Sequence, residues 1–222
     1  MSKEIPATVF FDLDGTLVDN YDAITACVGD SIEPLGFPRP TREHIMRIVG
    51  GSIILTMEKL VGKRLAETAG RNYMERIGAM TFLGLREMPY ASEILDLLNA
   101  AGARCVCLTN KSQKSAEEIA CRLGLDKKLF ATIGTTLLGP HKPSREFTEA
   151  AAQKVGADAS TSIMVGDSPY DYLTAQNFGM PCLLVATGGN PAEELAELCP
   201  RAAGIYPGME ALARGYFGFK KK

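Results

Sequence analysis

Two carboxylates one residue apart, Asp12 and Asp14, follow the run Ala7-Thr8-Val9-Phe10-Phe11 and precede Gly15-Thr16. Apolar, β-prone residues running into paired acids mark a strand that ends in a polar site. Successive side chains of an extended chain point to opposite sides, so both carboxylates face one pocket only if the chain turns between them. Gly15 permits that turn and leaves nearby backbone N–H groups open to an anion. A second acidic pair, Asp167 and Asp171, follows the apolar run Ser162–Gly166. Carboxylates gathered at neighbouring strand ends repel one another unless a cation joins them. A hard divalent ion with oxygen ligands is the natural compensation, and Mg2+ favours a few carboxylates plus water and phosphate. Alone, Asp-Leu-Asp-Gly-Thr reads equally as an acidic turn that caps a helix. The second pair shifts the reading to a metal site.

Two further stretches bear groups suited to an anion. Thr109-Asn110-Lys111 ends the run Val106-Cys107-Leu108 and opens a helical pattern near Ser112, where a hydroxyl and backbone N–H groups form a ready phosphate site. Lys142 lies between the "ATIG" strand and the next helix, and Pro143 is suited to that helix's first turn. An ammonium fixed there would contact both a carboxylate and a phosphoryl oxygen. Singly, each is weak: Thr-Asn is commonly a helix cap, and a Lys before Pro is commonly on the surface. His141 reads as a loop residue, and Gly50-Gly51 is too short to mark a phosphate loop.

The elements that must position these groups alternate along the chain. Strands are predicted at 7–12, 104–109, 131–134, 162–166, 182–186 and near 202–205. Helices are predicted near 91–101, 112–123, 144–155, 170–178 and 191–198. Continuous apolar strands between amphipathic helices indicate an α/β fold, a Rossmann-like parallel sheet with helices on both faces. In such a sheet, ligands bind outside the carboxyl ends of the strands, where the aspartates fall. Glycines 102, 124, 156 and 179 follow predicted helices as left-handed terminators. From Leu17 to Met88 this rhythm breaks. The block shows helical patterns punctuated by Gly and Pro and no convincing strand, and reads as an inserted all-α cap. The organisation is therefore 1–16 and 89–222 as core, with 17–88 as cap.

Composition narrows the function classes. The chain has 222 residues, a formal net charge of −2 and 23% charged residues, with a pI near 5.8. A basic nucleic-acid-binding domain is not indicated. No apolar run is long enough to span a bilayer and no signal pattern opens the chain, so a cytoplasmic location is expected. The six cysteines include no Cys-x-x-Cys pair, and there are two histidines, so a structural zinc site is not indicated. Cys105 and Cys107 fit same-face packing on a strand. The terminal Lys220-Lys221-Lys222 reads as a solvated tail.

In these residues the chain resembles the haloacid dehalogenase-like superfamily of aspartyl-phosphate phosphohydrolases, and within it the phosphoglycolate phosphatase-like branch. Asp12-Leu13-Asp14-Gly15-Thr16 matches the first motif, Thr109-Asn110 the second, Lys142 the third, and Gly166-Asp167-Ser168 with Asp171 the fourth. The resemblance implies that Asp12 attacks phosphorus and that Asp14 serves as general acid and then general base. It implies that Asp12, the Asp14 backbone carbonyl and Asp167 bind Mg2+, and that Asp171 supports the metal's waters directly or from a second shell. Thr109, Asn110 and Lys142 would bind phosphate, with Lys142 also neutralising Asp12. The implied partner is a small phosphorylated metabolite, and the implied assembly a monomer or homodimer.

The sequence also departs from the branch. "MPYASE" stands where a "PYPG"-like stretch is usual, a second proline after Lys142-Pro143 is lacking, and "ATIGTTLLG" lacks acids common before the third motif. Asp14 speaks against a dehalogenase, and Thr16 mildly favours a phosphatase over a sugar phosphomutase. A phosphomutase, an inorganic pyrophosphatase and a non-catalytic binding protein on the same fold remain alternatives. Arg42, Arg47, Lys59, Lys63 and Arg64 of the predicted cap are candidate substrate-anion contacts.

Overall fold

The computed structural model describes residues 4–220. Eight strands form in chain order: β1 (Thr8–Phe11), β2 (Val18–Asp19), β3 (Arg86–Glu87), β4 (Arg104–Ser112), β5 (Ala131–Thr135), β6 (Ser162–Gly166), β7 (Cys182–Val185) and β8 (Gly204–Tyr206). Six build one sheet in the order β5-β4-β1-β6-β7-β8, every neighbouring pair parallel. From β1 the chain runs outward through β4 to β5, then crosses back to β6 and runs out the other way. The order reverses around β1, so the carboxyl ends of β4, β1 and β6 flank the crevice where an open α/β sheet places its ligands.

Alternation along the strands explains the layering. Val9 and Phe11 of β1, Cys105 and Cys107 of β4 and Ile163 and Val165 of β6 point to one face. There they pack under α5 (Ala91–Ala100), α6 (Gln113–Leu123) and α10 (Met209–Gly215). Phe10, Val106, Leu108 and Met164 point to the other. They meet α7 (Arg145–Val155), α8 (Pro169–Phe178) and α9 (Ala192–Leu198). Burial on both faces is why these strands read as unbroken apolar runs. Cys105 and Cys107 are buried free thiols on one face of β4, matching the packing expectation.

Residues 21–80 hold the remaining helices: α1 (Tyr21–Ile32), α2 (Arg42–Ile48), α3 (Ile53–Val61) and α4 (Lys63–Met80). They enclose a separate apolar cluster that includes Ile24, Val28, Ile45, Met57 and Ile77. Thr41 and Ser52 accept from His44 N and Leu55 N and so cap α2 and α3. One feature corrects the expectation of an all-helical block. The chain leaves and re-enters the core through β2 and β3, an antiparallel pair joining Val18 to Glu87 and Asp19 to Arg86. Strands of two residues carry too little periodicity to be seen in sequence. The short helix α2 also escaped prediction, as did α10. Asp19 sits in β2, receives Arg42 and Arg86, and accepts from Tyr21 N at the start of α1.

Two boundaries shift for local reasons. β4 extends to Ser112 rather than ending at Thr109, because Ser112 resumes pairing with Thr135 after an irregularity that begins past Leu108. Pro143 lies before α7 rather than in its first turn. The Lys142–Pro143 peptide is cis, and Ser144 N–H donates to His141 O at 2.8 Å, closing a tight turn. Gly124, Gly156 and Gly179 end their helices in the left-handed conformation as expected. Lys220 is exposed, and the rest of the lysine tail lies outside the described residues. Among the described residues no helix is long and apolar enough to cross a membrane.

Candidate active site

Four strand-end loops converge on one buried charge cluster. Asp12 continues the ladder of β1, its N–H donating to Val165 O at 2.9 Å, and then the chain turns. Gly15 adopts φ +84°, and Gly15 N donates to Val18 O at 2.8 Å, while Leu17 N and Val18 N both donate to Leu13 O at 2.9 Å. This turn brings Asp14 round to the pocket that Asp12 faces. Lys142 is fully buried. Its Nζ lies 2.9 Å from Asp12 Oδ1 and 2.6 Å from Asp171 Oδ1. The other oxygen of Asp171 accepts from Ser168 Oγ at 2.7 Å, Ser168 N at 3.1 Å and Asp167 N at 3.2 Å. Asp171 thus anchors both the ammonium and the loop that carries Asp167. Asp167 Oδ1 in turn accepts from Thr16 Oγ1 at 2.7 Å.

Burial and an excess of negative charge together raise two of the cluster's carboxyls. Burial pushes the Asp12 carboxyl up, Lys142 partly opposes this, Asp171 adds to it, and the result is about 6. Burial, then Asp171 and Asp12, hold Asp167 well above the usual carboxylate range. Burial alone would depress Lys142, but Asp12 and Asp171 outweigh it and keep the ammonium charged.

These residues fit a hard divalent cation. Asp12, Asp167 and Asp171 can each present an oxygen within 4.8 Å of the others. Asp12 Oδ1 is buried, and the contact it makes is the ion pair with Lys142 at 2.9 Å. A Cβ at Gly188 would come within 1.8 Å of Asp167 Oδ2, so the space beside that oxygen exists only because residue 188 is glycine. An all-oxygen donor set suits Mg2+-like ions over soft metals. Both Asp171 oxygens are engaged by the donors above, which leaves Asp12 and Asp167 with oxygen atoms to spare.

The expected phosphate-binding residues divide. Thr109 is buried in the pocket lining, and its Oγ1 accepts from Lys111 N at 3.2 Å. That leaves the hydroxyl proton available to an anion. The Asn110 side chain instead ties three segments together. Its Oδ1 accepts from Lys142 N at 2.7 Å, and its Nδ2 donates to Lys142 O at 3.0 Å and Gly50 O at 2.9 Å. His141 is a loop residue outside the lining, with Nδ1 3.1 Å from Gly139 O.

Sequence reasoning missed several contributors. Lys111 places Nζ 3.0 and 3.2 Å from the two Asp14 oxygens. With its amide oriented to satisfy both neighbours, Asn20 accepts from Lys111 Nζ at 3.1 Å and donates to Thr81 O at 3.0 Å. Lys111 followed a strand end, the signal already used for Thr109. Thr187 follows β7 in the same way, and its Oγ1 donates to Gly15 O at 2.6 Å, bracing the turn after Asp14. Gly50-Gly51 packs against the Tyr170 ring, where Cβ atoms would approach to 3.1 and 2.9 Å.

Above the cluster opens a pocket with a cavity volume of about 70 Å³. Its far wall comes from the helical segment and is uncharged: Ile24, Ile53, Thr56, Tyr73, Met74 and Ile77. The expected anion contacts of that segment lie elsewhere. Arg42 bonds Asp19 and Asp22, Arg47 bonds Glu194 of α9, and Lys59 donates to Ile48 O and sits over the Tyr170 ring. Lys63 and Arg64 are exposed.

A doubly covered parallel sheet, with acidic loops and a buried lysine at its switch point and a helical segment overhead, defines a class of α/β hydrolytic enzyme. Residues 9–185 match the model of the haloacid dehalogenase-like hydrolase family, and the chain belongs to that family. It is 30% identical to a phosphoglycolate phosphatase from Caulobacter vibrioides, over 82% of this chain and 80% of the relative. It is 26% identical to one from Vibrio parahaemolyticus, over 90% and 92%. The fold is shared with a solved haloacid dehalogenase-like family hydrolase from Streptococcus pneumoniae, at a TM-score of 0.84 and 22% identity, covering 96% of this chain and all of that one. The chain is accordingly a phosphoric monoester hydrolase.

Proposed function

We propose that this protein is a Mg2+-dependent phosphatase that hydrolyses a small phosphomonoester through a phosphoryl group carried on Asp12. The observation that carries the reading is the buried Lys142 ammonium between Asp12 and Asp171, immediately beneath a pocket lined by Asp12, Asp14, Thr109 and Asp167. Lys142 and Thr109 orient the phosphoryl oxygens. An Asp12 oxygen forms a bond to phosphorus as the bond to the ester oxygen breaks, and Asp14 gives its proton to the departing alcohol. Asp14 then takes a proton from water, whose oxygen bonds phosphorus as the Asp12–phosphorus bond breaks. Phosphate leaves and Asp14 is again protonated. Lys111 holds the Asp14 carboxyl in place throughout. Asp12, Asp167 and the Asp14 carbonyl are the residues that would hold Mg2+, which supplies charge neutralisation to the phosphoryl group.

Residues 17–88 serve in this reading as an inserted helical cap over a core of 1–16 and 89–222. The segment's contacts with the core support it: Asn110 to Gly50, Tyr170 against Gly50-Gly51, and Arg47 to Glu194. Shutting the pocket against bulk water favours transfer to the intended acceptor. The named substrate of the two relatives, phosphoglycolate, belongs in the first screen, together with sugar phosphates, nucleotides and pyrophosphate. The test is phosphate release with and without Mg2+, followed by acid quenching and peptide mapping. Phosphoryl on the peptide containing Asp12 is the expected result. Rapid interconversion of sugar phosphates with slow phosphate release would point instead to a phosphomutase.

A further inference from the structure

We infer that the pocket selects a phosphomonoester whose organic group is uncharged and presents apolar surface, and discriminates against one bearing a carboxylate or a second phosphate; this rests on the phosphatase reading above. The wall facing the catalytic cluster is built from Ile24, Ile53, Met74 and Ile77 of the helical segment and Leu137 of the core. The helical segment's polar side chains in the lining are hydroxyls, those of Tyr21, Ser52, Thr56 and Tyr73. The lining's one ammonium among the described residues is Lys111, already 3.0 Å from Asp14. The segment's other cations are turned away. Arg42 spans Asp19 and Asp22, and Arg47 reaches Glu194.

Two forces then act together on a substrate's organic end. An anion placed against this wall loses water and finds no free cation. It also meets a site that stays net negative with substrate bound, because Asp12, Asp167, Asp171 and the phosphoryl group together outweigh Lys111, Lys142 and a divalent cation. An uncharged group meets neither cost, and its apolar surface leaves water on binding. A hydroxyl on such a group has a partner in Tyr73, whose own hydroxyl makes no hydrogen bond among the described residues while its ring is buried. The phosphate end is served separately by Lys142, Thr109 and the bound cation, so discrimination falls on the organic group alone.

The test compares 2-phosphoglycolate with its uncharged amide, 2-phosphoglycolamide, on the full-length protein with Mg2+. The two match in size and differ by one charge. The expected kcat/KM favours the amide by at least about tenfold, the scale on which a site discriminates by one unmatched group. n-Butyl phosphate is expected to show a lower KM than phosphoglycolate. Met74→Lys, which puts an ammonium on the wall at a half-buried helix position, is expected to move the ratio at least about fivefold towards phosphoglycolate. Circular dichroism checks that the variant is folded. A wild-type preference for phosphoglycolate, or none, overturns the inference while leaving the phosphatase reading intact. An unmoved ratio in folded Met74→Lys protein overturns the assignment of selection to this wall. If neither ester nor p-nitrophenyl phosphate releases phosphate, the phosphatase reading itself fails, and the inference with it.

Discussion

The floor and the far wall of the pocket are built on opposite terms. The floor comes from strand-end loops and carries Asp12, Asp14, Asp167 and Lys111, with Lys142 and Asp171 immediately beneath. The wall comes mainly from the helical segment, joined by Leu137 of the core, and carries no charge. A charged floor must be held by the whole sheet, because repelling carboxylates stay together only if the scaffold prevents their separation. An uncharged wall needs only shape, and is free to belong to a segment with its own apolar cluster. Chemistry and selection are thereby assigned to different parts of the chain.

The comparison breaks most sharply at its centre. Asp12→Asn keeps the shape of the floor and removes the attacking oxygen's charge. Turnover is expected to fall by at least about 10³-fold, the scale seen when a nucleophile is removed. Thermal melting should hold or rise, because one of three mutually repelling carboxylates is gone. Substantial activity in the folded variant would show that Asp12 is not the nucleophile. Lys142→Met is the complementary break. It leaves Asp12 and Asp171 buried without their ammonium, and removing one partner of a buried pair costs about 3–5 kcal/mol. A clear drop in melting temperature is expected along with lost activity. A variant as stable as the parent would mean that the ammonium neutralises only a bound phosphate.

Floor and wall also differed in how legible they were. Asp12, Asp14, Lys142, Asp167 and Asp171 could be read from sequence because buried charge after an apolar strand has few explanations. The sheet could be read because its strands are buried on both faces. The two-residue strands β2 and β3 were invisible, since pairing across 67 residues leaves no local pattern. The arginines and lysines of the helical segment misled for a related reason. A cation's type is visible in sequence, but its partner is not. Arg42 belongs to Asp19 and Asp22, and Arg47 to Glu194, which is 147 residues away. Nothing in the sequence separates Met74, Ile77 and Ile53, which line the pocket, from ordinary helix core.

Proton linkage sharpens the account of the floor. The Asp12 carboxyl ordinarily titrates at 3.8 and is raised to about 6 in the folded, metal-free protein. A raised carboxyl stabilises the fold in its neutral form. That contribution is fully present below the unfolded value and is lost as pH rises through the folded one. Asp167, raised in the same direction, extends the effect upward. After chelation, the melting temperature is therefore expected to fall by several degrees between pH 4 and 7. Mg2+ should recover more stability at pH 7 than at pH 5. Asp12→Asn should flatten the slope. A chelated wild-type protein that melts equally at both ends of this range would mean that the cluster is not strained by its own charge.

The smallest expected effect belongs to the segment's displaced cations. Arg47 is half exposed and bonds a partly exposed Glu194 at 2.7 Å, joining α2 to α9 across the rim. Exposed pairs of this kind contribute about 0–1 kcal/mol. Arg47→Ala should lower the melting temperature by no more than a degree or two, and KM for charged and uncharged esters should change in parallel by less than about twofold, as suits a residue outside the lining. A selective rise in KM for phosphoglycolate alone would place Arg47 on the substrate. The wall would then be charged after all, through a rearrangement that releases Arg47 from Glu194. That outcome would remove the distinction between floor and wall, so this variant, with the least effect expected, tests the comparison most directly.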